Sequence, residues 1–202
     1  SETALQGTKL LDDKFGKEED VIFGNALYRV TKPNITEYTI PATVTTIADR
    51  AFKSQHKLKT VNNLDGVQKI GKYAFKDSLE FLNKHKNREG LVVVNKKVIA
   101  NLSQADAVHV DEDIEEIVEC GLSGQHALNL KELFIYSKKI KISNNAFADN
   151  KNLKKLAFIS KDATMIDEDL DIDVDSINLK KGSKIYLQGE VLSKLKTEVE
   201  NK

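Results

Sequence analysis

Four aspartates near the C-terminus are spaced so that they could bind a metal ion. On a β-strand their carboxylates would share one face at steps of about 7 Å, and calcium prefers oxygen ligands. An EF-hand loop is excluded, because Val174 stands at its glycine position and Lys180 at its terminal glutamate position. The pattern also fits a solvated strand face beside a lysine-rich neighbour, and we predict no metal ion or other cofactor. The four residues are Asp169, Asp171, Asp173 and Asp175.

The other residue types that carry out catalysis show no catalytic arrangement. The segment Gly66–Tyr73 fits a phosphate-binding loop except at its last position, where Tyr73 replaces the hydroxyl residue that holds magnesium. Cys120 is the only cysteine, which excludes an intrachain disulfide, and no neighbouring base would activate its thiol. The four histidines have no metal-ligand spacing, and no H-E-x-x-H or G-x-S-x-G motif occurs. We therefore predict no catalytic residues and a protein that is not an enzyme.

One short phrase recurs along the chain and indicates how these residues are positioned. It consists of an anchor isoleucine, three variable residues, a small residue and a large apolar residue. Its copies begin 23, 47 and 25 residues apart, and the middle step indicates a divergent copy between the second and the third. A fixed period in this range is typical of stacked coils. The copies are Ile47–Phe52, Ile70–Phe75, Ile117–Leu122 and Ile142–Phe147.

A leucine motif follows the phrase and predicts a strand in each coil. Leu130–Ile135 and Leu153–Phe158 show the L-x-x-L-x-L rhythm of a leucine-rich repeat strand. A longer repeat of about 70 residues maps Val21–Phe23 onto Leu91–Val93, and a turn signal after each segment predicts two β-hairpins. The sequence therefore predicts a repeat solenoid of the leucine-rich-repeat type, with a curved stacked β-sheet, short strands, turns and a few helices.

The repeats also predict the organisation of the chain. Residues 21–188 form the solenoid, which consists of two duplicated units of about 70 residues and a further coil. Residues 1–20 form an N-terminal cap or flexible segment, and residues 189–202 form a C-terminal capping helix with one apolar face.

The packing of the coils follows from the types of residue in the phrase. The small residue allows the backbones of neighbouring coils to approach, and the large apolar residue fills the space between the coils. The segment Asp77–Arg88 departs from the repeat and predicts a helical insertion, with Leu79 and Leu82 facing inward.

The segment Ile40–Phe52 resembles the repeat unit of the BspA-like, or Treponema-type, leucine-rich repeat family of bacterial surface proteins. That unit reads roughly I-P-x-x-V-x-x-I-x-x-x-A-F-x-x-C-x-x-L-x-x-I, and the segment matches its first thirteen positions wherever a residue is defined, including Pro41 and Val44. The resemblance covers about Val21–Ile159. The sequence departs from the family's repeat unit in two respects. Pro41 is not repeated in the later copies, and no copy carries the family's cysteine. The resemblance implies a protein that is extracellular or on the cell surface and that adheres to host or microbial partners.

One group of residues is predicted to form a binding surface. In an L-x-x-L-x-L strand the leucine positions face the core, and the positions between them face the concave side of the sheet. Phe134 and Tyr136 would therefore face outward. We expect Ala157 and Ile159 beside them on the next coil and His109 on the coil before. Aromatic and aliphatic side chains on an exposed sheet are typical of a binding hot spot, although a register slip of one residue would bury them.

The composition narrows the kind of partner. Lys plus Arg and Asp plus Glu both number 31 in 202 residues, so the net charge is zero, which argues against nucleic-acid binding. No apolar run exceeds four residues, so we predict no membrane insertion. The first twenty residues are polar and show no signal peptide, and the start at Ser1 without Met is what we expect of a trimmed or mature form.

These observations predict a monomeric, non-catalytic module that binds a protein partner on the concave sheet. The partner we expect is a host or microbial surface protein, and the expected role is adhesion. One alternative is a structural, self-associating module of a larger surface assembly. Another is a calcium-stabilised domain or metal-dependent enzyme, which depends on the four aspartates alone.

Overall fold

The fold was analysed in a computed structural model of the chain. The structure describes residues 20–123, 129–137, 140–148, 150 and 152–159, together with the backbone of 184–187. The four aspartates, the predicted C-terminal helix and all but the last residue of the predicted N-terminal cap lie outside the described residues. The chain divides into two compact units, which are Ser1–Asn87 with Val92–Asn95 and Arg88–Leu91 with Lys96–Lys202.

The first unit is built from short strands and one short helix. Its elements are β1 (Val21–Phe23), β2 (Ala26–Arg29), β3 (Glu37–Thr39), β4 (Thr46–Ile47), β5 (Thr60–Asn62), β6 (Lys69–Ile70) and α1 (Leu79–Lys84). β1 and β2 form the predicted antiparallel hairpin, in which Gly24 has a φ of +56°. β2 pairs in parallel with β4, and β4 with β6, while β3 pairs in parallel with β5. One parallel ladder of this unit therefore has three strands and the other has two.

The anchor isoleucines determine the register of the first ladder. Ile47 stands opposite Leu27 on one side and opposite Ile70 on the other. All three side chains are buried. Because neighbouring strands lie about 4.8 Å apart, identical positions on successive coils meet in the core. The repeat phrase therefore marks equivalent positions of successive coils, as the sequence predicts.

The second unit repeats this arrangement with longer strands. Its elements, together with the strand at the boundary, are β7 (Leu91–Val94), β8 (Lys97–Asn101), β9 (Ala107–Val110), β10 (Glu116–Ile117), β11 (Glu132–Ile135), β12 (Lys141–Ile142), β13 (Lys155–Phe158) and β14 (Lys184–Leu187). One parallel ladder joins β8, β10 and β12, and brings Val98, Ile117 and Ile142 into register. The other joins β9, β11, β13 and β14. The chain is thus a β-solenoid of the leucine-rich-repeat type.

A turn in the left-handed region precedes the small residue of every phrase. The residue before the small position has a φ between +53° and +59° in all four copies. The amide of the small residue closes the turn by donating to the carbonyl three residues earlier, as Ala51 does to Ala48 at 3.2 Å. The four residues are Arg50, Tyr73, Cys120 and Asn145. Only Asn145 belongs to a residue type that favours this region, so the remaining turns are imposed by the packing of the coils.

Stacked aromatic rings fill the core of the first unit. The ring of Phe75 lies 4.6 Å from that of Phe52 and 4.4 Å from that of Phe81, and both pairs are stacked. The edge of Tyr38 meets Phe52 at 5.3 Å. In the second unit Leu122 and Phe147 occupy the position of Phe52 in the phrase, and both are buried. The large residue of each phrase therefore fills the space between coils, as predicted.

The helical insertion exists but is shorter and differently oriented than predicted. α1 has six residues, and Leu79 is 59% exposed, so the expectation that it faces inward is wrong. Phe81 and Leu82 provide the buried side of the helix. Phe81 takes this role because its ring stacks on Phe75 and lies 4.2 Å from the ring of His85. Among the described residues, no helix is long and apolar enough to span a membrane.

Candidate binding surface

The outer face of the sheet formed by β9, β11 and β13 carries the predicted binding residues. The inner positions Leu133 and Ile135 are fully buried, so the residues that alternate with them point to the opposite face. The register places Phe134 opposite His109 on one side and opposite Ala157 on the other. Four half-buried residues define what we call the aromatic surface: His109, Phe134, Tyr136 and Ile159.

Three rings of the aromatic surface are stacked in nearly parallel planes. The ring of His109 lies 4.8 Å from that of Phe134, with an angle of 13° between the planes. It lies 5.7 Å from the ring of Tyr136, at 14°. His109 Nδ1 and the hydroxyl oxygen of Tyr136 are within hydrogen-bond distance at 3.1 Å. Such stacking holds the side chains in one geometry, because each ring restricts the rotamers of its neighbours.

A lysine completes the stack on the side of β13. The ammonium group of Lys155 lies 4.6 Å from the centroid of the Phe134 ring, and it also forms an ion pair with Glu132 at 3.6 Å. Both faces of Phe134 are therefore occupied, by an imidazole ring and by a cation. The edge of Phe134 is the part that remains for contact with a partner. The sequence did not predict this role of Lys155.

The aliphatic side of the surface is smaller than predicted. Ile159 is half-buried, and its amide donates to the carbonyl of Ile135 at 2.8 Å, which extends the ladder beyond the end of β13. Ala157, which we expected to face outward, is only 4% exposed. The alternation of the strand gives Ala157 the outer side, but a methyl group is too short to remain accessible beside longer neighbours. The accessible apolar residue on this coil is therefore Ile159.

The matching sheet of the first unit has a polar outer face. There, Tyr38 and Val61 take the inner positions, and Tyr38 packs on the ring of Phe52. The outer positions hold Glu37, Thr39 and Asn62, and the Asn62 amide donates to the Glu37 carboxylate at 2.7 Å. The aromatic surface is therefore a feature of particular coils and is not required by the repeat.

A second surface of the same unit is charged. A groove of about 700 Å³ lies beside the ladder of β8, β10 and β12, and lysine and glutamate side chains line it. The Glu116 carboxylate accepts a hydrogen bond from Lys97 at 2.6 Å and one from the Ser143 hydroxyl at 3.0 Å, and it lies 3.6 Å from Lys141. Lys97, Glu116 and Lys141 stand directly opposite one another in the three strands. Opposite charges at opposite positions stabilise this register.

The environment of Glu116 favours its ionised form. Burial by itself would raise the pKa of Glu116, but the hydrogen bond and charge of Lys97 lower it. The hydroxyl of Ser143 and the charge of Lys141 act in the same direction, so the pKa lies below its ordinary value. Lys97 and Glu116 are both less than one-fifth exposed, so solvent screens this pair less than a surface pair. Aligning the residue before each anchor isoleucine would have revealed two of these three charges, Glu116 and Lys141.

The other chemical candidates occupy structural positions. Gly71, in the segment that resembles a phosphate-binding loop, packs against the coil before it, because a Cβ there would lie 2.5 Å from the Asp49 amide nitrogen. His85 packs on Phe81, and its Nδ1 lies 2.9 Å from the Phe81 carbonyl oxygen. Cys120 is buried. Within the described ranges, no group of three or more His, Cys, Asp or Glu side chains could hold a metal ion.

Stacked coils with buried anchor isoleucines and two parallel ladders define the class of leucine-rich-repeat solenoids. A family model described as a BspA type leucine-rich repeat region matches residues 22–154 in six copies. The chain therefore belongs to the BspA-type leucine-rich repeat family. A search of curated proteins and a search of solved structures each gave no match.

Proposed function

We propose that this protein is a non-catalytic adhesion module that binds a protein partner through the aromatic surface. The observation that carries the proposal is the stack of His109, Phe134 and Tyr136 on the outer face of a hydrogen-bonded sheet. Aromatic residues held in fixed rotamers lose little entropy on binding, and they are enriched at the centres of protein interfaces. The polar outer face of β3 and β5 shows that the fold itself does not need these rings.

The proposed setting is the outside of a bacterial cell, either on the surface or as a secreted protein. Membership of the BspA-type family supports this setting, because the family is generally found in bacterial surface proteins. The proposed partner is a protein on a host cell or on another microbe. The expected oligomeric state is a monomer, since the proposed binding surface has to be free to meet a partner.

Adhesion of protein-coated beads to cells tests the proposal. Beads carrying the wild-type chain are titrated onto host cells and onto bacterial cells, and bound beads are counted. The double variant Phe134→Ala/Tyr136→Ala should reduce the adhesion titre by about tenfold or more, because truncating hot-spot aromatics has effects of this size. The matched control, Glu37→Ala/Thr39→Ala on the outer face of β3, should adhere like the wild type.

The outcomes of this assay separate the alternatives. Equal adhesion of both double variants would contradict the aromatic surface as the binding site. Treating the cells with protease before the assay should abolish adhesion, and adhesion that survives would contradict a protein partner. If beads adhere to one another through Phe134 and Tyr136 and not to cells, the protein is a self-associating module instead.

A further inference from the structure

The turn edge of the first unit carries a stripe of basic side chains. The residues come from the phrase itself: Arg50 and Lys53 flank Ala51–Phe52, and Lys76 follows Phe75 one coil later. The amide of Arg50 donates to the Lys72 carbonyl at 3.1 Å and that of Phe52 to the Ala74 carbonyl at 3.0 Å, so the two turns are direct neighbours. All three basic side chains are exposed.

Two of the three cations of this stripe lie over one aromatic ring. The guanidinium carbon of Arg50 lies 5.9 Å from the centroid of Tyr73, and the ammonium group of Lys76 lies 5.1 Å from it. Arg29, on the preceding coil, donates from its Nη1 to the Arg50 carbonyl at 3.2 Å. Two of the three arginines in the chain are therefore at this edge, in a protein that otherwise uses lysine. Arginine is suited to planar, bidentate recognition of carboxylates.

The nearby acidic side chains form hydrogen bonds to the turns and no ion pairs with the stripe. Asp49 accepts a hydrogen bond from the Lys72 amide at 3.2 Å, and Asp77 accepts one from the Ser54 amide at 2.7 Å. Both carboxylates thus serve the turns themselves. In the described part of the chain, no carboxylate lies within ion-pair distance of Arg50, Lys53 or Lys76.

The second unit provides an internal comparison, because the same positions there are neutral. The phrase positions of Arg50 and Tyr73 are occupied by Cys120 and Asn145 in the second unit. Those of Lys53 and Lys76 are occupied by Ser123 and Ala148. The fold therefore forms this turn without basic residues, and the stripe is not needed to stack the coils.

We propose that the basic stripe of Arg50, Lys53 and Lys76 is a second interaction surface, which binds an acidic segment of a protein partner. Charge complementarity supports this occupant, since three exposed cations on adjacent coils form no ion pair with any carboxylate among the described residues. Protein is favoured as the source of the carboxylates because the chain belongs to a family of protein-interaction repeats. This surface is independent of the aromatic surface, which lies in the other unit.

Binding of fluorescently labelled poly-L-glutamate to the full chain, measured by anisotropy at low salt, tests the proposal. The triple variant Arg50→Gln/Lys53→Gln/Lys76→Gln should weaken binding by about tenfold, and raising the salt should weaken binding of the wild type. The matched control, Lys69→Gln/Lys84→Gln/Lys154→Gln, removes the same net charge from exposed positions elsewhere. It should bind like the wild type.

Three results would overturn the proposal. Equal losses in the two triple variants would mean that net charge alone attracts the polymer. Undetectable binding of poly-L-glutamate by the wild type would exclude an acidic protein segment, and binding of heparin in the same assay would then identify a sulfated glycan as the occupant. If the triple variant unfolds, the single variant Lys53→Glu provides the comparison. Wild-type affinity in that variant counts against the stripe.

Discussion

The phenylalanines of this protein occupy two distinct environments, one buried and one half-buried. Phe52 is fully buried between Tyr38 and Phe75, and its loss would leave a cavity between coils. Phe134 is half-buried on the outer face of the sheet, where solvent can fill the space that truncation leaves. A role in stability and the proposed role in binding can therefore be separated by mutation.

We expect Phe52→Ala to lower the free energy of unfolding by about 3–5 kcal/mol. Phe134→Ala should lower it by only about 1 kcal/mol, because less apolar area is removed from a packed environment. Urea denaturation monitored by circular dichroism measures both values. Equal losses of unfolding free energy in the two variants would show that Phe134 is a core residue. This result would contradict its place in an exposed binding surface.

The pH dependence of stability tests the pairing of Glu116. Its pKa in the folded state lies below the ordinary value of 4.5, so folding favours the ionised carboxylate. Its contribution is complete above about pH 4.5 and is lost as the pH falls through the lowered folded-state pKa. Urea denaturation across the acidic range should show this loss in the wild type. In Glu116→Gln the loss should be smaller, and an identical acid dependence in the two proteins would contradict the pairing.

The sequence predicted residue roles where the residue type is specific to the role. The anchor isoleucines and the Ala-Phe pairs could be recognised because each position accepts a narrow range of residues. The first position of each pair accepts only a small residue, and the second accepts only a large apolar one. The left-handed turns were not recognised, since Arg50, Tyr73 and Cys120 are types that do not favour a positive φ. The contact of Lys155 with Phe134 was missed for another reason: a lysine on a strand gives no signal of what it covers.

At the scale of the element, the close approach of neighbouring coils limits the size of the residue that follows each left-handed turn. A Cβ added to Gly121 would lie 2.5 Å from the Val98 carbonyl oxygen and 3.0 Å from the Val118 carbonyl oxygen. Both obstacles are backbone atoms, which cannot rotate away. The other three copies hold alanine at this position, so the coil at Gly121 is packed more closely than its counterparts.

Gly121→Ala should therefore destabilise the protein by about 1–3 kcal/mol, because the added methyl group pushes two coils apart. Thermal unfolding of the variant provides the measurement. Ala146→Gly, at the same position of the next phrase, is the matched control for a change in backbone freedom. A melting temperature for Gly121→Ala at or above that of the wild type would contradict the close approach.

The helix α1 shows where pattern reasoning fails at this scale. Leu79 and Leu82 are three residues apart, which places them on one face of a helix. The helix is only six residues long, and the aromatic stack of Phe75 and Phe81 fixes which side is buried. Tertiary packing therefore overrides the apolar pair and leaves Leu79 exposed.

At the scale of the whole molecule, one repeat carries two different surfaces. The aromatic surface and the basic stripe each occupy positions that are polar or neutral in the other unit. The repeat could be predicted from the sequence because it recurs. The surfaces could be predicted only in part, because a side chain that appears once leaves no periodic signal.

We expect sedimentation equilibrium to give the mass of one chain over a wide range of concentrations. We also expect millimolar calcium and a chelator to leave the melting temperature unchanged, since no metal ion is predicted. A mass that rises with concentration would favour the self-associating module. A melting temperature that rises with calcium would favour the calcium-stabilised domain, and would direct attention to the four aspartates.

Binding through the aromatic surface requires above all that this surface is a preformed part of a rigid sheet. Hydrogen exchange of the free protein measures this directly. The amides of Tyr136 and Ile159 donate to the carbonyls of Val110 and Ile135 in the neighbouring coils, at 3.0 and 2.8 Å. They should exchange at least about a thousandfold more slowly than in an unfolded peptide, although their side chains are partly exposed. Rapid exchange of these two amides would contradict the account, because the rings would then have no fixed platform on which to meet a partner.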